Sequence, residues 1–174
     1  IKNKNPDVVV ILGDRYELLG SAIAAMISRI PITHIHGGEL TIGAYDDSIR
    51  HSITKLSHLH FPIHEDYKKR LLQLGENPRT VFNFGSLGAH AISKMKLLKK
   101  SEIEKILNIK LSKKIILATF HPVTLEKSMS KYYIKNLVKF LGKLKNYTII
   151  FTSPNFENKT NILKKEILNF EKKN

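Results

Sequence analysis

The chain has 174 residues, 42% of them apolar and 25% charged, with a formal net charge of +14. This is the composition of a globular chain, one ordinary domain or parts of two small ones, and it excludes intrinsic disorder. Cysteine is absent, which rules out disulfides and thiolate metal sites, and no apolar run reaches the length of a membrane span. A cytoplasmic protein is the expectation.

In chain order, DVVVIL (residues 7–12) is a continuous β-branched run of the kind that is buried on both faces of a parallel sheet. YELLGSAIAAMISR then reads as a largely buried helix, and IPITHI (30–35) as a second strand with proline at its entry. DDSIRHSITKLS places Ile49, Ile53 and Leu56 at helical spacing, with Asp46 and Asp47 at the positive end of the helix dipole. HLHFPI predicts a third strand, EDYKKRLLQLGE a third helix and TVFNF (80–84) a fourth strand. Strands and helices alternating at these lengths predict right-handed β-α-β units and a doubly wound sheet.

Near residue 92 the composition changes. Residues 1–92 are nearly balanced in charge, whereas the lysines of 93–174 supply almost all of the excess. Residues 93–112 read as a lysine-rich helical connection, after which KIILATF, MSKYYIKNLVKFLGKLKN, YTIIFTS and a last helix form a second β-α-β run. The expected domains are therefore 1–92 and 113–174. The lysines lie on helical faces with little aromatic interleaving, the pattern of a solvated surface more than of a nucleic-acid groove. Nonspecific attraction to polyanions follows from the charge alone.

Ligands of open parallel sheets bind beyond the carboxyl ends of the strands. Polar groups collect there: GDR (13–15) after the first strand, HGGE (36–39) after the second, HPVT (121–124) and SPN (153–155) after the two later ones. A cleft between two domains is expected from that placement. Each group also has a plain reading. Asp14 suits a helix cap, Gly37 and Gly38 a tight turn, and Asp46 and Asp47 an N-terminal pair. Arg50 lies four residues after Asp46, the spacing of an ordinary intrahelical ion pair. His34, in the apolar strand, reads as a core histidine, and His58 and His60 alone do not make a metal site. The recurrence of polar groups at successive strand ends is what favours a site.

The stretch from GDRYELLG through HIHGGELTIGAYDDSIRH to LSHLHF resembles the hydrolysing UDP-N-acetylglucosamine 2-epimerases of sialic and legionaminic acid biosynthesis. FGSLGAHAI and FHPVT are similar to later motifs of that family, in order. The resemblance implies a GT-B-like α/β fold with parts of two Rossmann-type parallel-sheet domains, and the chain reads as an internal piece of a longer, oligomeric enzyme that would be inactive alone. The implied reaction cleaves the bond between UDP and a 2-acetamido sugar with inversion at C2, through elimination to a glycal-like alkene and hydration. No cofactor, metal, membrane or specific nucleic-acid partner is implied.

By motif, Asp14 and Asp46 match catalytic carboxylates, with Asp47 a near substitute for Asp46. Arg15, Gly37, Gly38, Arg50, His121 and Asn155 match substrate or UDP positions, Arg50 facing the phosphates. Several relatives carry Glu where this chain has His36, so either His36 takes the proton-transfer role, or Glu39 does, or His36 only positions the sugar. Histidine is chemically able to fill that role. The alternatives are a non-hydrolysing UDP-N-acetylglucosamine 2-epimerase, an inactive family member and a basic polyanion-binding module.

Overall fold

The computed structural model describes residues 4–121, 129–152 and 160–171. The chain divides into two compact units, Ile1–Met95 and Lys96–Asn174.

The first unit holds strands β1 (Val9–Leu12), β2 (Ile32–Ile35) and β3 (Leu59–Phe61), with helices α1 (Tyr16–Ile27), α2 (Asp46–Leu56), α3 (Glu65–Gln73) and α4 (Leu87–Lys94). The strands form one parallel sheet in the order β1-β2-β3, with Val9 beside Ile32 and Thr33 beside Leu59. Parallel neighbours need a crossover, and α1 and α2 provide the two crossovers. The core forms where these helices meet the sheet: Ile11, Ala22, Ala25, Ile32 and Ile53 are buried together, and Ile49 and Leu56 pack against them. Alanine at 22 and 25 lets α1 approach the strands closely, while the i, i+4, i+7 pattern of α2 turns its apolar stripe inward.

Three expectations need correction. α1 is not largely buried: only Ala22 and Ala25 are buried, and Ile23, Met26 and Ile27 are exposed. β1 is not covered on both faces, because Val8, Val10 and Leu12 are 45%, 59% and 55% exposed. It is an edge strand, and α1 and α2 bury only the alternate residues that face them. TVFNF is not a fourth strand. Only Val81 pairs, by a single parallel bridge to His60, after a 3-10 turn at Pro78–Thr80. Asn83 diverts the chain: its side chain accepts from the Gly85 N–H at 3.0 Å and donates to Glu65 at 2.7 Å. Such local side-chain bonds compete with a strand ladder. Helix α4 follows, started by the Ser86 hydroxyl, which accepts from the Ala89 N–H.

The second unit contains α5 (Lys100–Leu107), β4 (Lys114–Ala118), α6 (Ser130–Leu141), β5 (Tyr147–Phe151) and α7 (Thr160–Glu171). β4 and β5 pair in parallel from Lys114 beside Tyr147 to Ala118 beside Phe151. Among its described residues, Leu111, Ala118, Ile134 and Leu141 are the buried apolar ones. At the strands' entry Ser112 and Thr148 exchange two bonds of 2.8 Å, each hydroxyl accepting from the other residue's N–H. α5 lies inside the 93–112 stretch that composition marks as a connection, and its Glu104 accepts from the Leu111 N–H at 2.8 Å. Among the described residues no helix is long and apolar enough to cross a membrane.

Candidate active site

At the carboxyl end of β1 the backbone turns at Gly13 (φ +83°), whose N–H donates to the Ile35 carbonyl at 3.0 Å. The turn is tied down from below by His34, which is fully buried. His34 Nε2 lies 2.9 Å from the Gly13 carbonyl and Nδ1 lies 3.1 Å from the Thr54 hydroxyl. A carbonyl can only accept, so Nε2 carries the proton and Nδ1 accepts from Thr54. Burial is the main cause that pushes the His34 pKa down, to about 4. His34 is the satisfied core histidine that its place in an apolar strand predicts, and it joins β1 to α2.

Asp14, one residue beyond that turn, reaches Arg50 on α2. Arg50 is 3% exposed. Its Nη2 donates to Asp14 Oδ2 and, at 3.1 Å, to the Thr41 hydroxyl. Its Nη1 donates to the Glu39 carbonyl at 2.7 Å and to Asp47 Oδ1 at 2.8 Å. Asp47 also accepts from the Thr41 N–H at 2.7 Å. One guanidinium therefore fastens the β1 exit, the loop between β2 and α2, and the first turn of α2. On its own helix Arg50 meets Asp47 at i,i+3, where the spacing points to Asp46. Asp46 itself is half-buried at the first position of α2.

The loop carries the second polar group. His36 adopts a left-handed conformation (φ +67°), uncommon for a residue with a side chain, and its Nδ1 donates to Glu39 Oε1 at 2.8 Å. The two candidates for the proton carrier are thus directly bonded. Between them, Gly37 and Gly38 are buried against the protein itself. A Cβ on Gly37 would stand 3.1 Å from His34 Nδ1, and one on Gly38 (φ +81°) would stand 2.4 Å from the Tyr67 carbonyl. The Gly38 carbonyl in turn accepts from Arg70 on α3. The glycine pair is required by the close approach of the loop to β2 and α3.

Two further candidates are Arg15 and His121. Arg15 is exposed and pairs with Glu17 at 2.8 Å. His121 follows β4 and is exposed, in a unit of its own where the Thr119 and Thr152 hydroxyls lie 2.8 Å apart beyond β4 and β5. Asn155 and the rest of the HPVT and SPN motifs, apart from His121, lie outside the described residues. Thr41 and Arg70 are participants that sequence reasoning missed. Thr41 carries no charge pattern, and Arg70 ends the run YKKR, which reads as a solvated helix face.

The family model described as UDP-N-acetylglucosamine 2-epimerase matches residues 1–174. The chain is 51% identical over 169 residues to the GDP/UDP-N,N'-diacetylbacillosamine 2-epimerase (hydrolyzing) of Campylobacter jejuni, covering 97% of this chain and 44% of that protein. It is 43% identical over 169 residues to the polysialic acid biosynthesis protein P7 of Escherichia coli, covering 97% of this chain and 43% of that protein. It therefore spans less than half the length of these curated relatives. Among solved structures, the Neisseria meningitidis UDP-GlcNAc 2-epimerase bound to UDP-GlcNAc superposes with a TM-score of 0.80 at 22% identity, covering 97% of this chain and 47% of that one. That is a likeness of fold, a GT-B-type α/β architecture with parallel sheets of Rossmann type. Matched by the family model along its whole length, and by a relative identical at half of the aligned positions, the chain belongs to the UDP-N-acetylglucosamine 2-epimerase family.

Proposed function

We propose that the protein is a hydrolysing 2-epimerase that cleaves a UDP-activated 2-acetamido sugar, releasing UDP and the free C2 epimer. The observation that carries this reading is the bonded cluster at the carboxyl edge of the first sheet. There Asp14, from the end of β1, meets the loop with the His36–Glu39 pair and the start of α2 with Asp46 and Asp47, which lie further along the chain. The substrate class follows the most specific relative reported above, named for N,N'-diacetylbacillosamine, so the 4-acetamido-6-deoxy sugar is preferred to N-acetylglucosamine. A cytoplasmic location, assembly into homo-oligomers and independence of any cofactor belong to the same reading.

The chemistry asks for such a set. A base removes the C2 proton as the C1–O bond to UDP breaks, leaving a 2-acetamidoglycal and UDP. Water then adds its oxygen to C1, and a proton returns to C2 from the opposite face. Proton-handling groups on both faces of one carbon are needed. Asp14 and Asp46 supply carboxylates. In the His36–Glu39 pair the carboxylate can only accept, so Nδ1 is the donor and Nε2 is the nitrogen available to exchange a proton with the sugar. The left-handed backbone at His36 is the kind of strain that a binding loop retains. Arg15, His121 and Asn155 are assigned to the nucleotide, and Gly37 and Gly38 to the loop that receives the sugar.

The test is to incubate the product of the open reading frame with UDP-N,N'-diacetylbacillosamine and, separately, UDP-N-acetylglucosamine in deuterated water. Free UDP and a free epimer carrying deuterium at C2 are expected, faster from the first substrate. Epimerisation with the nucleotide still attached, or no release of UDP, contradicts the proposal.

A further inference from the structure

We propose that Arg50 is a positioning residue that acts through Asp14, and not a ligand of the diphosphate. The inference rests on the reading of Asp14 as a catalytic carboxylate. A guanidinium has four N–H bonds on its two terminal nitrogens, and the acceptors here number the same: the Glu39 carbonyl, Asp47, Asp14 and the Thr41 hydroxyl. With the residue 3% exposed, a phosphate could take those donors only by displacing the partners that compensate the buried guanidinium, two of them carboxylates. Removing one partner of a buried charged pair is costly, because the other is left uncompensated. The fork instead does what its geometry suits. It fixes one Asp14 oxygen relative to the Glu39–Thr41 loop, so the carboxylate at the end of β1 and the His36–Glu39 pair keep a set separation. An ammonium has three donors converging on a point, and lysine cannot span four acceptors drawn from three segments.

The test uses the product of the open reading frame and the variants Arg50→Lys, Asp14→Asn and their combination, with kcat, KM and the Kd for UDP alone. Arg50→Lys is expected to lower kcat about 100-fold, the scale of a misplaced catalytic group, while the UDP Kd stays within about twofold. In the Asp14→Asn background the same change is expected to cost nothing further, since residues acting as one unit are not additive. A UDP Kd weakened more than about tenfold with kcat retained makes Arg50 a phosphate ligand and overturns the proposal. A full further loss in the Asp14→Asn background overturns it too, while the reading of Asp14 stands. Full turnover by Asp14→Asn alone removes the catalytic reading of Asp14, and the proposal with it. Should Arg50→Lys not fold, Asp47→Asn loosens the same guanidinium from its other side and must show the same split, kcat down and UDP affinity unchanged.

Discussion

The carboxyl edges of the two sheets are built on opposite plans. In the first unit, the edge is braced by buried polar ties: His34 holds the Gly13 carbonyl, Arg50 holds Asp14, and Arg70 holds Gly38. Its carboxylates, Asp14, Glu39, Asp46 and Asp47, stand among arginines and histidines. In the second unit, the described edge is exposed, with a hydroxyl pair at Thr119 and Thr152 and with His121 beyond it, in a half of the chain that carries most of the positive charge. An anionic diphosphate is favoured where positive charge is in excess, as it is over the second half of the chain, whereas proton transfer at carbon needs fixed carboxylates such as those of the first edge. On the proposed reading the first edge carries the sugar chemistry, and the nucleotide contacts, Arg15 excepted, fall to the second.

The sharpest way to break that division is Asp14→Asn. Its kcat is expected to fall about 1000-fold, in the range of a lost acid–base group, with UDP affinity unchanged by calorimetry. A variant that loses UDP binding instead would put Asp14 on the nucleotide side of the comparison.

Rigidity of the first edge is tested at Gly38. Alanine there brings a Cβ to 2.4 Å from the Tyr67 carbonyl, a backbone atom that cannot swing aside, at φ +81°. We expect roughly 3 kcal/mol of destabilisation in denaturant melts. Gly20 is the control: it lies within α1 and a Cβ on it meets nothing within 4 Å. Alanine at 20 is expected to stabilise by about 0.5–1 kcal/mol. Equal effects at the two positions would show that the loop yields.

The buried ties also make the first unit acid-sensitive. His34 has a pKa of about 4 in the folded protein against 6.5 when unfolded. Between those values the unfolded chain binds a proton that the native one refuses, so stability is full above about pH 6.5 and falls as pH drops towards about 4. The shift corresponds to roughly 3 kcal/mol. Burial also depresses His60 and His51, adding to the same slope. Urea melts followed by a probe in the first unit should lose stability from about pH 7 to about pH 5, and His34→Gln should flatten the slope. A wild-type profile level over that interval would contradict the burial argument.

Much of this was legible in the sequence, and the misses share a cause. Ile49, Ile53 and Leu56 declare the inner face of α2 because helical periodicity is local. The run VVVIL does not declare which face of β1 is covered, since every residue in it is apolar and only the neighbouring elements decide. TVFNF has strand composition, but Asn83 supplies local bonds that end the ladder after Val81. Gly37-Gly38 reads as a turn from sequence; its need for glycine comes from His34 and Tyr67, which arrive from other elements. Arg50 shows the limit most plainly. Its i,i+3 and i,i+4 aspartates are visible in the string, but the Asp14 contact exists only once β1 and α2 have packed.

The smallest effect tests the second edge. His121→Asn keeps a polar donor but removes the capacity for positive charge. If the second edge serves the nucleotide, UDP affinity should weaken about tenfold, the value of one hydrogen bond to a charged group, and the loss should shrink as salt screens the attraction. Deuterium incorporation at C2 per UDP released should then stay as in the unaltered protein, because that division gives His121 no part in moving the proton. A variant that binds UDP normally but changes the exchange ratio would move acid–base chemistry into the second unit, and the two edges would no longer divide the reaction between them.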